Sequence, residues 1–149
     1  MSRRAAARSN YRVVKRLGGF PCTHRQWRDA GHCRWVHGYD RWVEIEWQGE
    51  RDERGWVVDF GGLDALKATL TNQFDHTFLV APDDPVLATF TSLHEADVLS
   101  LRVMDPTMEG MARWVYDEAV KWTTECAPAA RVLEVTCWEN EKNAARFRR

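Results

Sequence analysis

No apolar run in this chain is long enough to cross a bilayer, and the opening "MSRRAAARSN" has no apolar core of the kind a signal peptide carries. The expectation is a protein that neither spans nor enters a membrane. Charge of one sign is also missing in excess: the formal net charge is −1, so no whole-molecule field favours nucleic acid or an anionic membrane. Cysteine is sparse, at positions 22, 33, 126 and 137. Four thiols allow two disulfides, but with no secretory signal the expectation is reduced thiols in a cytoplasm. Repeats and linkers are absent too, so the 149 residues read as one domain with enough chain for a real core.

What is present is ordinary globular composition, 44% hydrophobic and 29% charged, with eight Trp for bulk. The ends are locally basic, and residues 1–10 read as a flexible, solubilising N-terminus ahead of a domain over 11–149. "YRVVKRLGGF" reads as a strand closing on Gly18-Gly19, "PCTHRQWRDAGH" as an irregular segment, and "WVHGYDRWVEIEWQG" as a long strand. The charged turn "ERDERG" leads to a short return, "WVVDF". Asp59 is placed to cap a helix with Phe60, Leu63, Leu66, Leu70 and Phe74 on one stripe. A loop follows, "DHTFLVAPDDP", and then a short helix in "VLATFTSLHEADV" and a strand in "LSLRVMD". Pro106 marks the start of a long helix with Met108, Met111, Val115 and Trp122 inward, and "RVLEVTCWE" is the last strand. The order predicts an α+β fold: an antiparallel four-stranded sheet with two main helices on one face.

Period two in the long strand puts His37, Tyr39, Arg41, Val43, Ile45 and Trp47 on one side, apolar at the far end and polar at the near end. In the last strand Leu133, Val135 and Cys137 lead to Glu139, and a carboxylate ending a core-facing stripe needs a donor. If the two strands adjoin, their polar ends build a pocket over an apolar floor. Each candidate also has an ordinary structural account. His24 can be a loop residue, Cys33 a small buried hydrophobe, Asp75-His76 a helix stop, and Glu139 a strand end.

Taken in order, these pieces resemble one family. A histidine follows a Phe-containing stretch in "FPCTHR", and a Cys stands four before the histidine of "CRWVHGY". "GWVVDF", "FDHTFL", "DPTMEG" and a Glu after the last strand in "CWENEKNAARF" come next. The pattern is similar to that of the 6-pyruvoyl-tetrahydropterin synthase and 6-carboxy-5,6,7,8-tetrahydropterin synthase family, over about residues 11 to 147. The resemblance implies a tunnelling fold, with subunits joined into an oligomeric barrel, a hexamer of two trimers. It implies Zn2+ held by His24 and His37, Cys33 as catalytic thiol, and Asp75 with His76 as its acid-base partners. It implies Glu139 on the pterin ring and Thr107 in the substrate pocket.

The cysteine spacing suggests the carboxy-forming branch. That branch is a lyase taking 7,8-dihydroneopterin triphosphate to 6-carboxytetrahydropterin, with loss of acetaldehyde and triphosphate, in a queuosine-type 7-deazaguanine pathway. A 6-pyruvoyl-forming or related side-chain lyase, and a non-catalytic pterin or purine-binding protein, stay open beside it. Tyr39 departs from the family, which has a histidine there as third metal ligand. Its phenol oxygen is the expected weaker third ligand, or the neighbour of a metal-bound water, with His32 and His94 as substitutes.

Overall fold

A computed structural model describes residues 10–149. The expected basic N-terminus lies outside the described residues, apart from residue 10. Strands β1 (Tyr11–His24) and β2 (His37–Gly49) form a long antiparallel ribbon. Helix α1 (Asp64–Phe74) leads to β3 (Thr77–Val80), α2 (Leu87–Glu95) to β4 (Leu101–Val103), and α3 (Met108–Cys126) to β5 (Ala130–Trp138) and β6 (Ala144–Phe147). The fold is α+β, but among the described residues the sheet has six strands in the order β4-β3-β1-β2-β5-β6, not four. It is mixed, because β3 runs parallel to both β1 and β4. Among the described residues α1 and α3 are the two main helices, and α2 is the short helix expected in "VLATFTSLHEADV". Among the described residues, none is long and apolar enough to cross a membrane.

The two unexpected strands have separate causes. β3 is "TFLV", with all four residues buried. An internal parallel strand has no solvent face, so it shows no alternation and reads as a loop fragment. β6 is a four-residue edge strand that folds back on β5 through the turn after Glu139, whose N–H donates to the carbonyl of Asn143. The short return "WVVDF" forms no strand. Asp59 caps a 3-10 turn, Phe60–Gly62, accepting from the Gly61 N–H at 2.9 Å, and α1 starts only at Asp64. Phe60 is therefore exposed, while Leu63, Leu66, Leu70 and Phe74 are buried as the stripe requires. α3 matches its sequence signals: Thr107 is the N-cap, and Met111, Val115, Ala119 and Trp122 are buried.

β1 does not close at Gly18-Gly19. It continues to His24 through a bulge at which Gly18 pairs with Trp42 and Phe20 with Arg41, leaving Gly19 extra. Gly18 has φ +140°, and a Cβ there would lie 2.9 Å from the Arg41 carbonyl oxygen, so the bulge needs glycine. The extra residue changes the phase of the strand. Leu17 faces the helices before it, and Phe20, Cys22 and His24 face them after it, all buried. Without the bulge, period two counted from Leu17 would turn His24 outward. The core lies between this face of the sheet and helices α1 and α3, where Val43, Ile45, Trp47 and Val135 meet Leu70, Phe74, Met111 and Val115.

Candidate active site

The ribbon register brings three expected residues together. His24 pairs with His37 and Cys22 with Tyr39. The His24 and His37 ring centroids are 4.4 Å apart, and Tyr39 lies 5.8 Å from His37 and 6.4 Å from His24. The glycine between His37 and Tyr39 permits the close approach, since a Cβ at Gly38 would sit 2.6 Å from the Cys22 carbonyl oxygen.

Two residues beyond Tyr39 on β2, paired with Phe20, is Arg41, fully buried beneath the helices. Its Nη2 is 2.7 Å from His24 Nδ1, and its Nη1 points to Met111 Sδ at 3.7 Å. A guanidinium only donates, so His24 Nδ1 is the acceptor and the neutral ring carries its proton on Nε2. Burial, then Arg41, then His37 push the His24 pKa down to about 3. His37 has the opposite arrangement. Its Nδ1 lies 2.6 Å from the Trp35 carbonyl oxygen, so Nδ1 donates, and in the neutral ring Nε2 keeps its lone pair.

These residues do not fit the metal that the resemblance implies. If His24 were to bind through Nδ1, the guanidinium already stands at that atom. If it were to bind through Nε2, Nδ1 would have to carry the proton and face a donor across 2.7 Å. Ligating imidazoles normally donate their second N–H to a carbonyl or carboxylate. His37 meets that pattern and His24 does not. Tyr39 supplies no imidazole, and no group of three His, Cys, Asp or Glu able to hold a metal exists among the described residues. Neither substitute histidine completes one. His94 lies on α2 with Nδ1 near the Leu99 carbonyl oxygen, and His32 is in an exposed turn. The expected zinc site at His24, His37 and Tyr39 is thus a histidine pair joined to an arginine.

Cys33 sits in the 3-10 turn His32–Arg34 that precedes β2. The loop carrying it is closed by the Gln26 N–H donating to the Cys33 carbonyl at 2.8 Å, and by Asp29 accepting from the N–H groups of Gly31 and Cys33. Arg25 anchors the start of this loop through a two-point pair with buried Asp84, at 2.7 and 3.1 Å. The Cys33 thiol is partly exposed and makes no hydrogen bond among the described residues. Asp75 and His76 form the expected pair, with Asp75 Oδ1 2.9 Å from His76 Nδ1. A cavity of about 630 Å³ brings His76 and Tyr39 together with Cys22, Asp40, Phe78 and Ser100. Burial raises the Cys22 thiol pKa against the pull of Arg41.

Glu139 follows β5. The ladder between β2 and β5 ends at the pair Trp42 and Trp138, one residue before Glu139. Among the described residues the Glu139 carboxylate has only long amide contacts, 3.5 Å to Asn140 and 3.4 Å to Asn143. Thr107 turns out to be occupied. Its hydroxyl donates to Asp105 at 2.7 Å and accepts from the Gly110 N–H at 2.9 Å, which is helix capping. The residue that sequence reasoning passed over is Arg41. The signal was an arginine inside the core-facing stripe of β2, between Tyr39 and Val43.

The fold and site can be set beside known proteins. A 31% identical stretch of 88 residues, 59% of this chain and 56% of the relative, is shared with a Halobacterium salinarum protein named a probable 6-carboxy-5,6,7,8-tetrahydropterin synthase. The same enzyme name is given provisionally to a Pyrococcus abyssi protein, 26% identical over 123 residues, 76% of this chain and 74% of the relative. An uncharacterised Wolinella succinogenes protein superposes with a TM-score of 0.80 at 20% identity, over 94% of this chain and 98% of that one. The 6-pyruvoyl tetrahydropterin synthase of Plasmodium vivax superposes with a TM-score of 0.66 at 16% identity, over 95% and 98%. At these identities the superpositions speak to the fold. The family model described as 6-pyruvoyl tetrahydropterin synthase matches residues 13–149, and the chain belongs to that family.

Proposed function

We propose that this chain is a pterin side-chain lyase of the 6-carboxytetrahydropterin synthase type. Its substrate is 7,8-dihydroneopterin triphosphate, and it releases acetaldehyde and triphosphate. The observation that carries the reading is the Asp75–His76 pair, held at 2.9 Å and facing Tyr39 across one cavity in a chain of this family. Asp75 holds the His76 ring through Nδ1, which leaves Nε2 free to move a proton at the substrate side chain. Cys33, on the loop over the start of β2, acts as its thiolate, which takes the proton at carbon and becomes the thiol. The carboxylate of Glu139 has no cation among the described residues, and its two oxygens suit the paired N–H groups of a pterin edge.

The carboxy-forming assignment draws on the names of the archaeal relatives. Residues 11–149 act as one domain in the cytoplasm, and copies of the chain assemble as two stacked trimers that complete the site. The product feeds a 7-deazaguanine pathway of the queuosine type.

The test is acetaldehyde release from 7,8-dihydroneopterin triphosphate by the purified protein, with the pterin product identified by mass spectrometry. Cys33→Ala is expected to abolish turnover while keeping pterin binding. A 6-pyruvoyl product would move the chain to the other branch of the family. Pterin binding with no product would make it a binding protein.

A further inference from the structure

Arg41 is an unusual group to find where it is. Its side chain has no exposure, no ion pair reaches it among the described residues, and its Nε–H has no hydrogen-bond partner. A buried cation without a counter-charge carries a heavy desolvation penalty. Apolar neighbours on the same strand face, Val43 and Ile45, show that the core does not need an arginine there. Its one good acceptor is His24 Nδ1.

We propose that Arg41 replaces the divalent metal of this site: its buried guanidinium fixes His24 as a neutral imidazole protonated on Nε2, and no divalent ion binds there. The His24–His37 pair then consists of one hydrogen-bond donor, His24 Nε2–H, and one acceptor, His37 Nε2, with ring centroids 4.4 Å apart. A dication would have offered positive charge to a substrate oxygen. The pair offers a preorganised N–H backed by a fixed cation, and beside it a free lone pair. Arg41 is a positioning residue in this scheme, since it touches His24 and no surface. Tyr39 belongs to the same change, because a site without a metal has no use for a third imidazole. The donor role of His24 toward a substrate oxygen rests on the function proposed above. The proton position and the metal affinity do not, and both are measured without substrate.

The experiment has two parts. Side-chain 1H–15N correlation spectra of the 15N-labelled parent, with His24→Gln for assignment, are expected to show His24 protonated at Nε2 and bare at Nδ1. Zinc competition against a chromophoric chelator is expected to find no stoichiometric site in the parent. The Arg41→Met, Tyr39→His double variant is expected to gain at least tenfold in zinc affinity. His24 protonated at Nδ1, or one zinc per chain in the parent, would overturn the proposal. So would a folded double variant with no gain. If the double variant does not fold, the two measurements on the parent decide.

Discussion

The backbone N–H of His76 donates to the carbonyl of Pro21 at 2.7 Å, and this bond moors the Asp75–His76 turn to the strand that carries Cys22 and His24. His76 takes φ +56°, a left-handed conformation that β-branched residues resist and Asn tolerates. The turn therefore asks two things of residue 76, a backbone shape and an imidazole, and substitution can separate them.

His76→Asn is expected to keep the fold and lose turnover. His76→Val is expected to lose turnover and about 1–2 kcal/mol of stability as well, from strain at that φ. Urea unfolding of the two variants beside a turnover assay checks both. Equal stability of the two would remove the backbone argument, and turnover by His76→Asn would remove the imidazole.

Trp47, fully buried in β2, donates its indole N–H to Thr123 Oγ1 of α3 at 2.8 Å, and Thr123 donates in turn to the Ala119 carbonyl. Thr123→Val keeps the shape and strands the indole N–H, at an expected cost of about 1–3 kcal/mol. Thr123→Ser retains the acceptor and is expected to lose less. Thermal or chemical unfolding that ranks Val at or above Ser would mean the bond contributes nothing to stability.

The four thiols are expected to divide by burial. Cys126 is exposed and Cys33 partly so, while Cys22 and Cys137 are buried with pKa values pushed up by desolvation. Iodoacetamide on the native protein should label Cys126 and Cys33 first, with Cys22 and Cys137 reacting only after denaturation, as read by peptide mass spectrometry. Rapid native labelling of Cys137 would contradict its place beneath α3.

His24 gives the stability a pH dependence of known sign. Its pKa is about 3 in the folded chain against an ordinary 6.5, so between those values the unfolded chain binds the extra proton. Stability is full above pH 6.5 and falls as the pH drops toward 3, by at most about 1.4 kcal/mol per pH unit from this one group. Denaturant titrations from pH 7 to pH 4.5 are expected to show a shallower fall for His24→Gln than for the parent. Equal slopes would place the acid sensitivity elsewhere.

Much of this was legible from the residues because the relevant elements interact locally. α3 announced itself by Pro106 at its start and the stripe through Met111, Val115 and Trp122, and β2 by its alternation. The pairing of His24 with His37 was harder, because the bulge inverts the phase of β1 and "PCTH" carries no strand pattern of its own. β3 was illegible for a related reason: a strand covered by neighbours on both edges and both faces leaves no period to count. Arg41 was visible in the stripe, but nothing in a single chain's sequence says that a buried arginine has a histidine for its partner and no carboxylate. The Asp75–His76 pair needed only adjacency. The position of Cys33 relative to them depended on a loop closed by Asp29 and Arg25, contacts that no spacing rule anticipates.

The bulge at Gly18-Gly19 should leave a trace in any survey of which replacements β1 accepts. Over the first half of the strand, the outward residues Arg12, Val14 and Arg16 fall on even numbers. Then come two glycines, of which Gly18 admits no side chain, since a Cβ there would meet the Arg41 carbonyl oxygen at 2.9 Å. Beyond them the outward positions are Pro21 and Thr23, on odd numbers. The rhythm of tolerance thus changes beat in the middle of one strand. A segment transplanted into residues 20–24 from another protein has to enter on that second beat, or it presents its histidine to the solvent.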